Sequence, residues 1–228
     1  MGIISIEKAN NLYWLGRYTE RVFTTLRKFY RIFDSMIDFD DAEMVYSEYC
    51  QRLSIPNIYT SGQQFVDCYI FDPKNPDSLY HNMERAYDNA IVLRDELSSN
   101  VVSYIQLALD AIASAKGTAA PLFQLQQVVD YLFAFWGCVD DYVENEECRN
   151  IMKTGKYAER IDLYIRLQYH TKDIEKEFTK FVNRMKKTNM HCNLDKLAEL
   201  TEIINTKKEF NTEYQEALNC LQGIVEVV

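Results

Sequence analysis

Glycine and proline are scarce in this chain, 7 and 4 of its 228 residues. So few chain breakers exclude a turn-rich β-sandwich, a collagen-like repeat and a Pro/Gly-rich linker protein. Long apolar runs are missing too: no stretch reaches 18 residues, and a spanning helix needs about 20. Met1 to Asn11 lacks the basic start and apolar core of a secretory leader. Cysteines stand at 50, 68, 138, 148, 192 and 220, never as C-x-x-C. That spacing predicts reduced, mostly buried thiols in a cytoplasmic protein. Positive charge is in deficit, 25 Lys and Arg against 34 Asp and Glu, for a net −9. A chain of that sign does not hold a nucleic-acid backbone by bulk charge. Phosphate-loop, dinucleotide and serine-elbow patterns are absent, and His170 and His191-Cys192 have no partners at metal-ligand spacing. No cofactor is expected. The hydrophobic share of 47% and charged share of 26% are ordinary for a globular protein. At this length the reading is one domain over 1–228, large enough to fold without a metal or disulfide.

What is present is helical periodicity. From Ser5 to Asp38, Ile6, Ala9, Leu12, Leu15, Phe23, Leu26, Tyr30, Phe33 and Ile37 recur at three- and four-residue steps, with a gap between Gly16 and Val22. Ser5 is placed to cap this helix. Asp40 to Leu53 forms a shorter amphipathic segment with Met44, Val45, Tyr49 and Leu53 inward, broken by Ser54-Ile-Pro-Asn57. A helix over Ser61 to Phe71 precedes the turn Asp72-Pro-Lys-Asn-Pro-Asp77. Asp77 then caps a long helix running towards Ser114, and Lys116 to Pro121 is the next break. Leu122 to Tyr169 reads as one very long helix, or two broken at Gly137 or Gly155. Thr171–Thr188, Asn193–Thr206 and Glu209–Val225 complete the set, the residues after 170 packing on the same bundle. No segment alternates like a strand. The fold class is all-α, a bundle of six to eight helices.

One motif occurs twice. Gly16-Arg-Tyr-Thr-Glu-Arg-Val22 matches Gly155-Lys-Tyr-Ala-Glu-Arg-Ile161, and residues 16–30 against 155–169 share Gly, Tyr, Glu, Arg, Arg and Tyr. The copies are too far apart for a solenoid, so they mark two related helices in equivalent surroundings. A glycine in mid-helix costs about 1 kcal/mol relative to alanine; close approach of another backbone or of a ligand would offset it. At ~100° per residue, Glu20 aligns with Arg27 and Glu159 with Arg166, beside the apolar stripes. Arg21 and Arg160 point about 100° away, to solvent or a neighbouring helix. In the third long helix Arg94 falls within the stripe of Tyr80, Met83, Tyr87, Ala90, Leu97 and Val101. A buried arginine needs an acid, and Glu20, Glu159 and Asp162 are the natural ones.

These residues predict a polar layer of Glu20, Arg27, Arg94, Glu159, Asp162 and Arg166, with Arg17, Arg21, Asp95 and Arg160 as a second tier. It serves one of two purposes: structural ion pairs that fix helix register, or a cleft for an anionic or carboxylate ligand. A carboxylate-bridged metal site drawing on His81, Glu84, Glu159 and Asp162 is a third option. It is disfavoured, because the single histidine stands in reversed H-x-x-E order and the arginines oppose a cation. Tyr13, Trp14, Tyr18 and Phe23 read as packing. Some of the 16 tyrosines are expected on a partner-binding face.

Ala9-Asn-Asn-Leu-Tyr-Trp-Leu-Gly-Arg-Tyr-Thr-Glu-Arg21 closely resembles the opening motif of the bacterial alpha-E domain family, an all-helical domain named for its Glu-Arg motifs. Asp72-x-x-Asn75-Pro76-x-Ser78, Asn89-Ala90-x-x-x-Arg94-Asp95 with Ser98, and the second Glu-Arg motif at 155–162 are similar to later stretches of that family. Ile91, Phe23 and Lys156 depart from its pattern, where arginine, an acid and arginine are expected. The resemblance implies gene neighbourhood with an ATP-grasp ligase-like protein and a transglutaminase-like protease. Two functions follow as expectations. One is a helical accessory or scaffold for an amide-forming ligase. The other is an enzyme, or ligand-binding protein, using the Glu/Arg/Asp cluster on a carboxylate or amide substrate.

Overall fold

The computed structural model describes residues 4–38, 41–206 and 214–225, and over them the protein is all-helical. In chain order the helices are α1 (Ile6–Asp38), α2 (Ala42–Leu53), α3 (Gly62–Phe71), α4 (Leu79–Val92), α5 (Ser99–Ala115), α6 (Pro121–Gln124), α7 (Gln126–Tyr142), α8 (Glu146–Arg166), α9 (Thr171–Met185), α10 (Leu194–Thr206) and α11 (Tyr214–Ile224). The only extended pairing among the described residues is an isolated antiparallel bridge between Cys192 and Val225. The expected helix over Glu209–Val225 is seen from Tyr214; residues 209–213, like Asp40, lie outside the described residues.

There are more helices than the six to eight expected, because polar caps interrupt two long periodic stretches. The first is cut at Leu93, and α5 restarts behind Ser98, whose hydroxyl accepts from the Val101 N–H. The second breaks at Val143–Asn145, at neither glycine. Asn145 caps α8 by accepting from the Glu147 and Cys148 amides. Gly137 and Gly155 both lie inside helices. Hydrophobic periodicity carries through such breaks, whereas the cap that satisfies the orphan amides is one short polar residue. Asp41, Ser61 and Ser78 cap α2, α3 and α4 in the same way. Ser78 therefore replaces Asp77 as the cap of α4. Ser5 accepts from the Lys8 amide at the start of α1.

The chain divides into two compact units. The terminal unit comprises Met1–Glu20 and Glu144–Val228, the central unit Arg21–Val143. In the terminal unit α8 packs on α9 and α11, and α10 on α9 and α11. Its core includes Leu12, Leu15, Ile151, Ile161, Phe181, Leu200 and Leu218. In the central unit α5 packs against α4 and α7. A cluster of Phe29, Tyr46, Tyr49, Tyr59, Phe65 and Tyr69 fills its core, with Phe65 stacked on Tyr69 at 5.3 Å. Much of the tyrosine content is thus spent inside. Ile6, Ile37 and Met44, expected inward, are exposed; in α2 the buried residues are Tyr46, Tyr49 and Cys50. Cys148 and Cys220 are also buried, while Cys68, Cys138 and Cys192 are partly so, and all are free thiols.

The loop before α4 is held by its own polar groups. Asn75 donates to the Tyr59 hydroxyl at 3.2 Å and its side-chain oxygen accepts from the Asp77 amide at 3.0 Å. Ser78 both accepts from the His81 amide, at 3.0 Å, and donates to the Asp72 carbonyl, at 2.7 Å. Ser78→Ala should therefore cost about 1–2 kcal/mol in denaturant melts. Asp77→Ala should stay within about 0.5 kcal/mol. The reverse order would restore Asp77 as the cap.

Candidate functional site

The gap in the apolar stripe of α1 is filled by Gly16, Thr19 and Glu20, all buried. Within the terminal unit this stretch lies against α8. A methyl group on Gly16 would collide with the Met152 carbonyl, and one on Gly155 with the Tyr13 carbonyl. The offset between the motif copies, 16 to 155, also takes Tyr13 to Met152. The two contacts are therefore mirror partners about an approximate two-fold axis, and the crossing is so close that backbone meets backbone. Only glycine allows it.

Around the crossing sit four buried or nearly buried carboxylates, each paired with a cation. The Arg17 Nε donates to Glu159 at 2.7 Å. Arg160 grips Glu20 with two parallel bonds, 2.7 and 2.8 Å, and reaches Glu177 on α9 at 3.2 Å. Lys180 donates to the other oxygen of Glu177 at 2.6 Å. Arg166 holds Asp162 one turn back on its own helix, at 2.6 Å. Glu20 and Glu159 are 0% exposed. Burial disfavours the Arg17 charge, but Glu159 and Asp162 outweigh it and hold the guanidinium above its ordinary value. The same contest raises Arg160, with Glu20 and Glu177 prevailing over burial. Burial pushes the Tyr13 hydroxyl up against the pull of Arg17. Arg17 also lies over the Trp14 ring, 4.9 Å from its centroid, and Arg160 lies over Tyr157 at 5.8 Å.

The geometry redistributes the expected residues. Glu20, Glu159, Asp162 and Arg166 fall in this cluster, and so do Arg17 and Arg160, from the second tier. Arg94 does not. Its side chain is 75% exposed in the central unit, 4.0 Å from an equally exposed Asp95. The stripe expected to contain it is interrupted: past Leu93 the backbone leaves helical geometry, and Leu93 and Leu97 turn inward while Arg94 turns out. Arg27 is exposed as well, stacked over Phe23 at 5.3 Å instead of serving Glu20. Arg21 opens the central unit, where its charge opposes the burial that raises the Tyr69 hydroxyl. His81 and Glu84 form a pair on α4, 3.4 Å apart, while Glu159 and Asp162 are committed to arginines.

Glu177, Lys180 and Tyr157 were missed. Glu177 had a readable signal, as an acid between Ile174, Phe178 and Phe181 on the buried stripe of α9. Its partner Arg160 could not be read, because that pairing depends on how two helices cross.

A family model described as a predicted alpha-helical domain with a conserved ER motif matches residues 7–224. The chain belongs to this family, Alpha-E. No curated protein and no solved structure matches it. The Glu-Arg pairs of this Alpha-E chain stand at 20–21 and 159–160, and Arg160 of the second bonds Glu20 of the first. Among the described residues no helix is long and apolar enough to cross a membrane.

Glu20→Ala would leave Arg160 with Glu177 alone. The expected loss is about 3 kcal/mol in denaturant melting, the lower end for breaking a buried pair. Replacing both partners, Glu20→Leu with Arg160→Met, should cost less than the single change, because Glu177 keeps Lys180 and no buried charge is left alone. A double variant less stable than the single would contradict the pairing.

Proposed function

We propose that this protein is a non-catalytic helical partner, working beside an ATP-grasp-type ligase that forms amide bonds. One observation carries the reading: within the cluster, Glu20, Glu159, Asp162 and Glu177 are matched by Arg17, Arg160, Arg166 and Lys180. A general acid or base needs a carboxyl group within reach of the substrate, and an anion site needs cations left to face its ligand. Carboxylates each locked to an arginine or lysine serve helix register instead. The ligase system itself rests on the gene neighbourhood that the family resemblance implies. Substrate chemistry at the Glu/Arg/Asp cluster is the competing reading.

The test is reciprocal co-purification of the tagged protein with the ATP-grasp-type protein of the same genome, each at native level. A stable complex is expected, and Glu20→Gln should weaken it only as far as it lowers folding stability. A protein that stays alone, and is stabilised by a carboxylate or amide ligand in a Glu20-dependent way, would replace this reading with a ligand-binding one.

A further inference from the structure

With so few glycines, each one that interrupts a helix calls for a reason. Gly16 and Gly155 have the helix crossing, and Gly117 turns at φ +74°. Gly62 opens α3 behind its cap, where a methyl group would meet the Ala42 methyl at 3.5 Å, and one on Gly223 would meet the Lys196 stem at 3.4 Å. Gly137 has nothing. It sits in the middle of α7, and a methyl group there would meet no atom within 4 Å. Alanine would fit and would make a better helix.

Gly137 also lies on a stripe with a distinct character. Gln126, Asp130, Phe133, Gly137, Asp140 and Asp141 share the outer face of α7 and are all exposed. Phe133 is 59% exposed, yet it is held, edge-on to Phe23 at 4.8 Å. Arg27 stacks over Phe23 at the border of this patch. Neither α7 nor its packing partner α5 contains a lysine or arginine, while Asp110, Asp130 and Asp141 are exposed along them. Asp110 and Asp130 are touched by the neutral amides of Gln106 and Gln126, which leaves their charge in place.

We propose that the outer face of α7, centred on Gly137 between Phe133 and Asp140–Asp141, is the docking site for a basic amphipathic helix of a partner protein. This deepens the partner reading above and rests on it. A missing Cβ lets a second helix bring its backbone close, as Gly16 and Gly155 do inside this molecule. Phe133 supplies a fixed aromatic anchor beside that point. The carboxylates select lysines and arginines on the arriving helix. A second copy of the chain is a poor occupant, because pairing at Gly137 would bring two acidic faces together with no lysine or arginine from α5 or α7 between them.

The probe is a pair of synthetic amphipathic helices of about 18 residues, long enough to hold helix. Both carry Leu and Ala on one face; one has Lys on the other face and one has Glu. Fluorescence anisotropy of the full-length protein should show binding of the Lys helix and not of the Glu helix. Gly137→Leu and Phe133→Asp should each weaken it about tenfold or more. Phe123→Asp, at a residue 81% exposed on α6, should leave it unchanged. Gly137→Leu should melt no lower than wild type, which separates lost docking from lost fold. Equal binding of both helices, or of Gly137→Leu and wild type, overturns the proposal, as does a dimer that Gly137→Leu dissociates. Capture of the ligase by wild type and Gly137→Leu alike would remove this face and keep the partner function. Discrimination between the peptides without any ligase capture would do the opposite.

Discussion

Two helix backbones in contact, α1 at Gly16 and α8 at Gly155, are the constraint from which the rest of the terminal unit follows. Helices usually pack 8–10 Å apart, with side chains between them. Removing both Cβ atoms brings the axes nearer, and side chains beside the glycines and one turn beyond are then drawn into the joint. Those side chains are Arg17 and Glu20 on one helix and Glu159 and Arg160 on the other, which is why the pairs are so short and so well shielded. The glycine and the glutamate of G-x-Y-x-E-R are thus used twice: each glycine makes the contact and each glutamate takes an arginine from the facing helix.

Such a joint gives specificity more than stability. Desolvating several carboxylates and guanidiniums costs energy that their attraction only roughly returns. Any slip in register, however, would strand a buried charge at a cost of several kcal/mol. The bidentate grip of Arg160 on Glu20 and its further reach to Glu177 tie α9 into the same register. In the central unit a different device does this work. Interlocked rings of Phe29, Tyr46, Tyr49, Phe65 and Tyr69 define the packing without charge.

The sequence made the helical class and most helix positions legible, because periodicity and short polar breaks are local signals. The repeat gave the joint, since identical residues in two helices imply equivalent surroundings. Arg94 was misplaced because helical projection assumes an unbroken helix, and the cap at Ser98 ends that assumption. Arg27 was misplaced for another reason: alignment with Glu20 on one helix face says nothing about which neighbour covers each residue. Asp162 pairs locally with Arg166, a spacing open to reading, whereas Arg17 with Glu159 needs the three-dimensional crossing. Gly137 stands as one of two candidate breaks in the sequence because glycine inside a helix pattern is ambiguous between a kink and a contact surface.

The sign of one stability change tests this account most directly. Helix propensity alone predicts that Gly155→Ala stabilises the protein by up to about 1 kcal/mol. The backbone contact predicts the opposite, because the new methyl would strike the Tyr13 carbonyl and force α1 off α8. Denaturant melting of Gly155→Ala should show a loss of about 3 kcal/mol or more, the range for overpacking compounded by a disrupted ion pair. A variant as stable as wild type, or more so, would contradict the close crossing and with it the structural role of the Glu-Arg motifs.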